Sequence, residues 1–162
     1  MIPTDEEQAR ALLRETGDAI VAGVDRELPG WVRREVARIV DAWGRLDADA
    51  RAATGAGAVV AGEDAAARVG ARLRALLAED PATQRSTPLE IVRSAYREPT
   101  AVLVAAGIPP VARDDFDERA WPDDRYGLVV RTLGDLGDPD LAPLHLAWGL
   151  AKARVLRLRP AR

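Results

Sequence analysis

The chain has no cysteine and no asparagine, one histidine, one lysine, two serines and seven aromatic residues among 162. Each absence closes off a chemistry. Without cysteine there is no disulfide scaffold, no thiolate zinc site, no iron–sulfur cluster and no thiol nucleophile. One histidine cannot furnish the paired imidazoles of a helical zinc site. Without asparagine there is no N-glycosylation sequon. Long hydrophobic runs are missing as well. The weakly apolar stretches 56–61 and 101–108 fall far short of the roughly 20 residues that a membrane span needs. The opening Met1-Ile2-Pro3-Thr4-Asp5-Glu6-Glu7 is acidic where a secretory signal is basic. The expectation is a cytoplasmic protein with no cofactor and no membrane contact.

What the chain does have is alanine and arginine, 31 and 22 residues, with a formal net charge of −3. The length suits a single domain over 1–162 with a real core. The net charge argues against broad phosphate-backbone binding, although Arg33, Arg34 and Arg38 share one helix. Glu35 and Asp41 stand among them and weigh against a nucleic-acid partner.

Helical signals fill residues 1–80. Thr4 with Glu7 three residues later is a capping box. Leu12, Leu13, Thr16, Ala19, Ile20, Gly23 and Val24 hold a helical period to Leu28. Pro29-Gly30 predicts a break. A second helix is predicted from Trp31, with Val32, Val36, Ile39, Val40 and Trp43 on one stripe, forming an antiparallel hairpin with the first. The Ala- and Gly-rich stretch 47–62 reads as helix or loop, with helix favoured by its alanines. Ala66, Val69, Leu73, Leu76 and Leu77 then mark a long third helix.

Residues 81–162 carry nine of the 11 prolines. They predict short, proline-broken helices ending in one long helix. Thr87-Pro88-Leu89-Glu90 is a second capping box with proline at the favoured first position. Pro99 opens a further helix that Gly107 stops. Residues 113–120 read as a short acidic helix, Thr132 with Asp135 as one more turn, and Asp138-Pro139 as the cap of the last helix. Leu141, Leu144, Trp148, Ala151 and Val155 form the stripe of that helix. Tyr126 to Thr132 alternates too feebly for a strand. The predicted class is an all-α helical bundle.

Several segments of the second half carry a resemblance. They are Thr87-Pro88-Leu89-Glu90-Ile91-Val92-Arg93, Glu98-Pro99-Thr100 and Ala106-Gly107-Ile108-Pro109-Pro110-Val111. Arg113-Asp114 with Phe116 and Glu118, Pro122-Asp123-Asp124 with Tyr126-Gly127-Leu128, and Ala147-Trp148-Gly149 with Ala151-Lys152-Ala153 complete them. Together they resemble a group of small cytosolic actinobacterial proteins without an assigned function, over about residues 84 to 156. The resemblance implies a cytosolic setting and carries no reaction, cofactor or catalytic residue with it.

The densest chemical feature is Asp114-Asp115-Phe116-Asp117-Glu118, followed by Asp123-Asp124. On a helix these carboxylates stand one turn apart, the way helical enzymes hold Mg²⁺ for diphosphate chemistry. The spacing resembles the aspartate-rich motif of prenyl-diphosphate enzymes, which are about twice this length and bring a second acidic motif. All-α nucleotide pyrophosphohydrolases are closer in size. Glu15-x-x-Asp18 matches one of their elements, and their Glu-x-x-Glu is missing here. A solvated acidic helix explains the same residues. Arg93 and Arg97, four apart, repel. Either Glu90 and the acidic stretch 114–124 offset them, or they form an anion site. His145 flanks the last apolar stripe, and neither Ser86 nor Ser94 sits in a nucleophile elbow. Trp31, Trp43 and Trp148 fall on core stripes, whereas Trp121 stands outside any stripe. Gly55, Gly57 and Gly62 follow no strand, so they read as close helix packing rather than a dinucleotide fingerprint.

By elimination the functional expectation is a non-catalytic module that binds a protein partner or a small ligand, with a homodimer as one form of partnership. The expected surface comprises Arg93, Arg97, Asp114, Asp115, Trp121, Asp123, Asp124 and Tyr126. The alternative is an Mg²⁺-dependent nucleotide or diphosphate hydrolase using residues 114–118.

Overall fold

A computed structural model of the chain describes residues 1–110 and 125–159. Among the described residues there are five α-helices and no strand: α1 Asp5–Trp43, α2 Ala48–Ala78, α3 Pro88–Arg93, α4 Arg97–Ala105 and α5 Leu141–Leu158. Short 3-10 turns cover Ser94–Tyr96 and Leu133–Leu136. The architecture is the expected all-α bundle.

One boundary differs. The break at Pro29-Gly30 is absent, and α1 runs for 39 residues with Pro29 inside it. An interior proline removes one hydrogen bond and costs about 3 kcal/mol. The compensation is visible in the burial pattern. Ile20, Val24, Leu28, Trp31, Val32, Val36, Ile39 and Val40 are all buried, and their spacing keeps helical phase straight through the proline. A break would have swung one half of the stripe off the core, and each large side chain exposed would cost about 1.5–3 kcal/mol. A hairpin of long helices does form, with α1 and α2 as its arms. Gly44, at φ +67°, caps α1 through its amide on the Val40 carbonyl at 3.0 Å. Asp47 then caps α2 by accepting from the Ala50 amide at 2.7 Å. The stretch 47–62 is therefore almost entirely helix.

The arms of the hairpin are antiparallel and touch closely near their middle. A Cβ on Gly62 would lie 2.9 Å from the Pro29 carbonyl oxygen and 3.0 Å from its Cα. Only glycine permits that approach of two backbones. A Cβ on Gly55 would meet nothing within 4 Å, so this earlier glycine of the same stretch does no such packing. Helix α5 lies antiparallel against the first half of α1, with Leu141 over Gly23 and Arg159 reaching Asp80 at 2.7 Å. Its stripe buries Leu141, Trp148, Ala151 and Val155.

The short helices lean on the other side of α2. Both expected capping boxes, Thr87 with Glu90 and Thr132 with Asp135, are formed. Arg68 of α2 fastens this region. It pairs with both Glu98 oxygens, at 2.6 and 2.9 Å, and donates to the Ser94 hydroxyl and carbonyl at 3.0 and 2.9 Å. Hydrogen bonding to Glu98 raises the Arg68 pKa, which holds the guanidinium in its charged form. Tyr126, Leu128 and Val130 are buried in alternation, without a strand partner.

Candidate functional site

The residues expected to form a binding surface divide into three groups. Asp114, Asp115, Trp121, Asp123 and Asp124, with Asp117 and Glu118, lie outside the described residues. Arg93 and Arg97 are not on one helix, because the 3-10 turn at Ser94–Tyr96 separates them. Arg93 is half-buried and its Nε donates to the Val130 carbonyl at 3.3 Å. Arg97 is exposed, beside a shallow depression shared with Tyr96, Thr100 and Arg125. Tyr126 is a correction to that surface: it is 3% exposed. Its ring packs in the core, its hydroxyl donates to the Ile108 carbonyl at 2.6 Å, and burial raises its pKa. Glu90, named as a partner for Arg93, is occupied elsewhere by the Ser86 hydroxyl at 2.9 Å and the Thr87 amide at 3.3 Å.

His145 packs beside the core as its position implied. Its Nε2 accepts the Leu89 amide at 3.4 Å, which requires a neutral ring with the proton on Nδ1. Burial, helped by the positive charge of Arg93, lowers its pKa below the usual histidine value. The ring stacks on Trp148 with centroids 6.0 Å apart, and the Lys152 ammonium lies 5.3 Å from the Trp148 ring centroid.

Two concavities stand out. One is a cleft of about 670 Å³ between α2 and α4, lined by small residues such as Ala50, Ala53, Gly57 and Ala101. The other is a groove of about 890 Å³ between the first half of α1, the end of α2 with its following loop, and Trp148 of α5. The second groove has richer chemistry. Leu13, Val21 and Leu77 give it apolar walls, and charges of both signs surround them. Three acid–base pairs there are internal: Arg74 with Asp25, Arg10 with Glu6 at 2.9 Å, and Arg159 with Asp80. The hydrogen bond from Arg159 holds the Asp80 carboxyl below its usual range. Arg14, Asp18 and Glu79 make no ion pair among the described residues.

Two residues that line this groove each carry an enclosed polar atom with no hydrogen-bond partner among the described residues, Trp148 at Nε1 and Gln84 at Oε1. Trp148 is only 2% exposed. A buried donor or acceptor left unsatisfied costs about 1–3 kcal/mol, and a buried indole N–H ordinarily finds an acceptor. The Gln84 amide cannot turn over to relieve its oxygen. Its Nε2 already donates to the Leu76 carbonyl at 2.9 Å and faces the Glu79 carbonyl at 3.5 Å, so exchange would set oxygen against oxygen.

Among the described residues no three or more histidine, cysteine, aspartate or glutamate side chains converge as metal ligands. Glu15 and Asp18 are both exposed on α1. No described helix is long and apolar enough to cross a membrane. Comparison with protein families, with curated proteins and with solved structures finds no match. Sequence reasoning placed Trp148 on a core stripe and passed over Arg14 and Gln84. The one signal in the sequence was tryptophan itself, whose N–H needs an acceptor wherever the ring is buried.

Proposed function

We propose that this chain is a non-catalytic binding module, cytoplasmic on the sequence argument, that holds a small ligand in the groove between α1, the end of α2 and α5. The observation that carries this reading is the groove itself, with apolar walls at Leu13, Val21 and Leu77 and with Arg14, Asp18 and Glu79 in no ion pair among the described residues. The size of the groove, about 890 Å³, falls in the range that small-molecule sites occupy, about 300–1,000 Å³. Mixed apolar walls and a few convergent polar groups fit the same description.

Native mass spectrometry tests the reading. The full chain would be equilibrated in turn with mixtures of amino acids, dipeptides, nucleosides and fatty acids. Ala22→Trp, at an exposed position on the groove wall, should fill the groove and leave the core alone. The expected result is a stoichiometric adduct from one class, lost in Ala22→Trp. No adduct from any class, or equal adducts with both proteins, overturns the groove as the ligand seat.

A further inference from the structure

Helix α5 has two apolar faces, and the bundle covers one of them. Leu141, Trp148, Ala151 and Val155 are buried. Pro143, Leu146, Leu150 and Ala153 recur at the alternating spacing of three and four that carries the seam of paired helices, and all four are exposed. With about 3.6 residues per turn, this second stripe lies roughly opposite the first. Leu146 is 65% and Leu150 64% exposed. A lone exposed leucine is ordinary, whereas two on successive turns of one seam form a patch. A Cβ on Gly149, beside them, would meet nothing within 4 Å, so a second backbone can come close there.

Charge selects the occupant. Asp138 pairs with Arg26 at 3.0 Å, and Arg159 with Asp80 at 2.7 Å. That leaves Asp140 at the start of the helix and Arg154 and Arg157 toward its end. All three are exposed and in no ion pair among the described residues. A face acidic at one end, basic at the other and apolar between is complementary to itself turned end for end. A parallel mate would set acid on acid and base on base. An antiparallel mate pairs them and aligns the helix dipoles favourably.

We infer that α5 pairs with the same helix of a second copy of this chain, antiparallel about a two-fold axis. In the register that seats leucine on leucine, Leu146 meets the partner's Leu150, and Pro143 meets the partner's Ala153. The same register sets Asp140 opposite the partner's Arg154 on one flank, twice by symmetry. On the other flank it brings Gly149 against the partner's Gly149. The 18-residue helix is about 27 Å long, so one helix on another covers less than the about 800 Å² per partner of a standard interface. The pair is therefore a weak one whose population rises with protein concentration. The face lies on the side of α5 away from Trp148, so the pairing is independent of the ligand groove.

Sedimentation velocity of the full chain over a concentration series tests this, with a rising dimer fraction expected. Leu150→Glu, at an exposed position, should weaken association at least about tenfold by burying a charge in the seam, with an unchanged circular dichroism spectrum. Asp140→Arg should weaken it about threefold, as a rim ion pair allows, and adding Arg154→Asp should restore it. The register is read with cysteine, of which the chain has none. Gly149→Cys should give a disulfide-linked dimer on mild oxidation. Ala153→Cys should not, because the antiparallel register holds the two copies of residue 153 about 15 Å apart along the helices. A chain that stays monomeric throughout the series, a dimer indifferent to Leu150→Glu, a double charge variant no better than Asp140→Arg alone, or linkage at 153 rather than 149 overturns the inference.

Discussion

The α1–α2 hairpin is packed in two different ways along its length. Near the middle, Gly62 brings the backbone of α2 to within side-chain contact distance of the Pro29 carbonyl. Toward the start of α1 the same two helices border an open groove, and a Cβ on Gly17 there would first meet the tip of the Leu77 side chain, at 3.2 Å. Glycine does opposite work at the two places. In the middle it permits a rigid contact of backbone on backbone. At the end it leaves room that a flexible leucine tip only partly takes up. One helix pair thus has a fixed point and an accessible pocket, without any change of fold between them.

The largest effect should come from breaking the fixed point. Gly62→Val puts a branched side chain against backbone atoms that cannot rotate away. A loss of about 3 kcal/mol is expected, the upper end of ordinary overpacking, read as a lowered urea midpoint. A loss under about 1 kcal/mol would show that the contact is loose, and the contrast would collapse. Gly55→Ala is the matched control on the same helix. With nothing near its Cβ, it should gain about 1 kcal/mol from helix propensity alone. Gly17→Ala should fall between them, within about 0.5 kcal/mol of the parent, because the same propensity gain is offset by pushing a leucine tip aside.

The smallest effect should be a response to pH confined to the groove end. Burial and the nearby Arg93 charge hold His145 below its ordinary value of 6.5. As pH falls past that value, the unfolded chain takes up a proton that the folded chain refuses. The stability tied to the neutral ring is therefore complete above the unfolded pKa and is lost as pH falls through the folded one. His145 stacks on Trp148, so acid should also perturb tryptophan fluorescence from the groove wall. His145→Gln should flatten the pH dependence of the urea midpoint between neutral pH and the lowered pKa. Identical slopes in parent and variant would remove histidine from the account.

Much of the fold was legible because its signals are local. Capping boxes at Thr4, Thr87 and Thr132 mark helix starts with residues three apart, and all three are present. The interval 47–62 followed from alanine content. Pro29 misled because a local breaker was weighed without the phase of the stripe across it. Leu28, Trp31 and Val32 keep that phase, and burial outweighs the lost hydrogen bond. Tyr126 misled in another way, since an aromatic among polar neighbours reads as exposed until its own packing is seen. The groove was hidden for a different reason. Arg14, Leu77, Gln84 and Trp148 are brought together by three elements and a loop, so no spacing in the sequence records their meeting.

Helix α1 has a consequence for how the molecule comes apart. At 39 residues it is about 58 Å long, and α2, α4, α5 and the 3-10 turn at Leu133–Leu136 all pack on it. α1 is the main packing partner of both α2 and α5, so its loss would uncover the buried stripes of both. Opening of the molecule should therefore be concerted rather than modular. Amide hydrogens at Ile20, Val24, Val36 and Val40 should exchange with one common protection, equal to the global stability, while the ends of α4 and α5 exchange sooner. Two separate plateaus along α1 would show that its halves belong to different cooperative units.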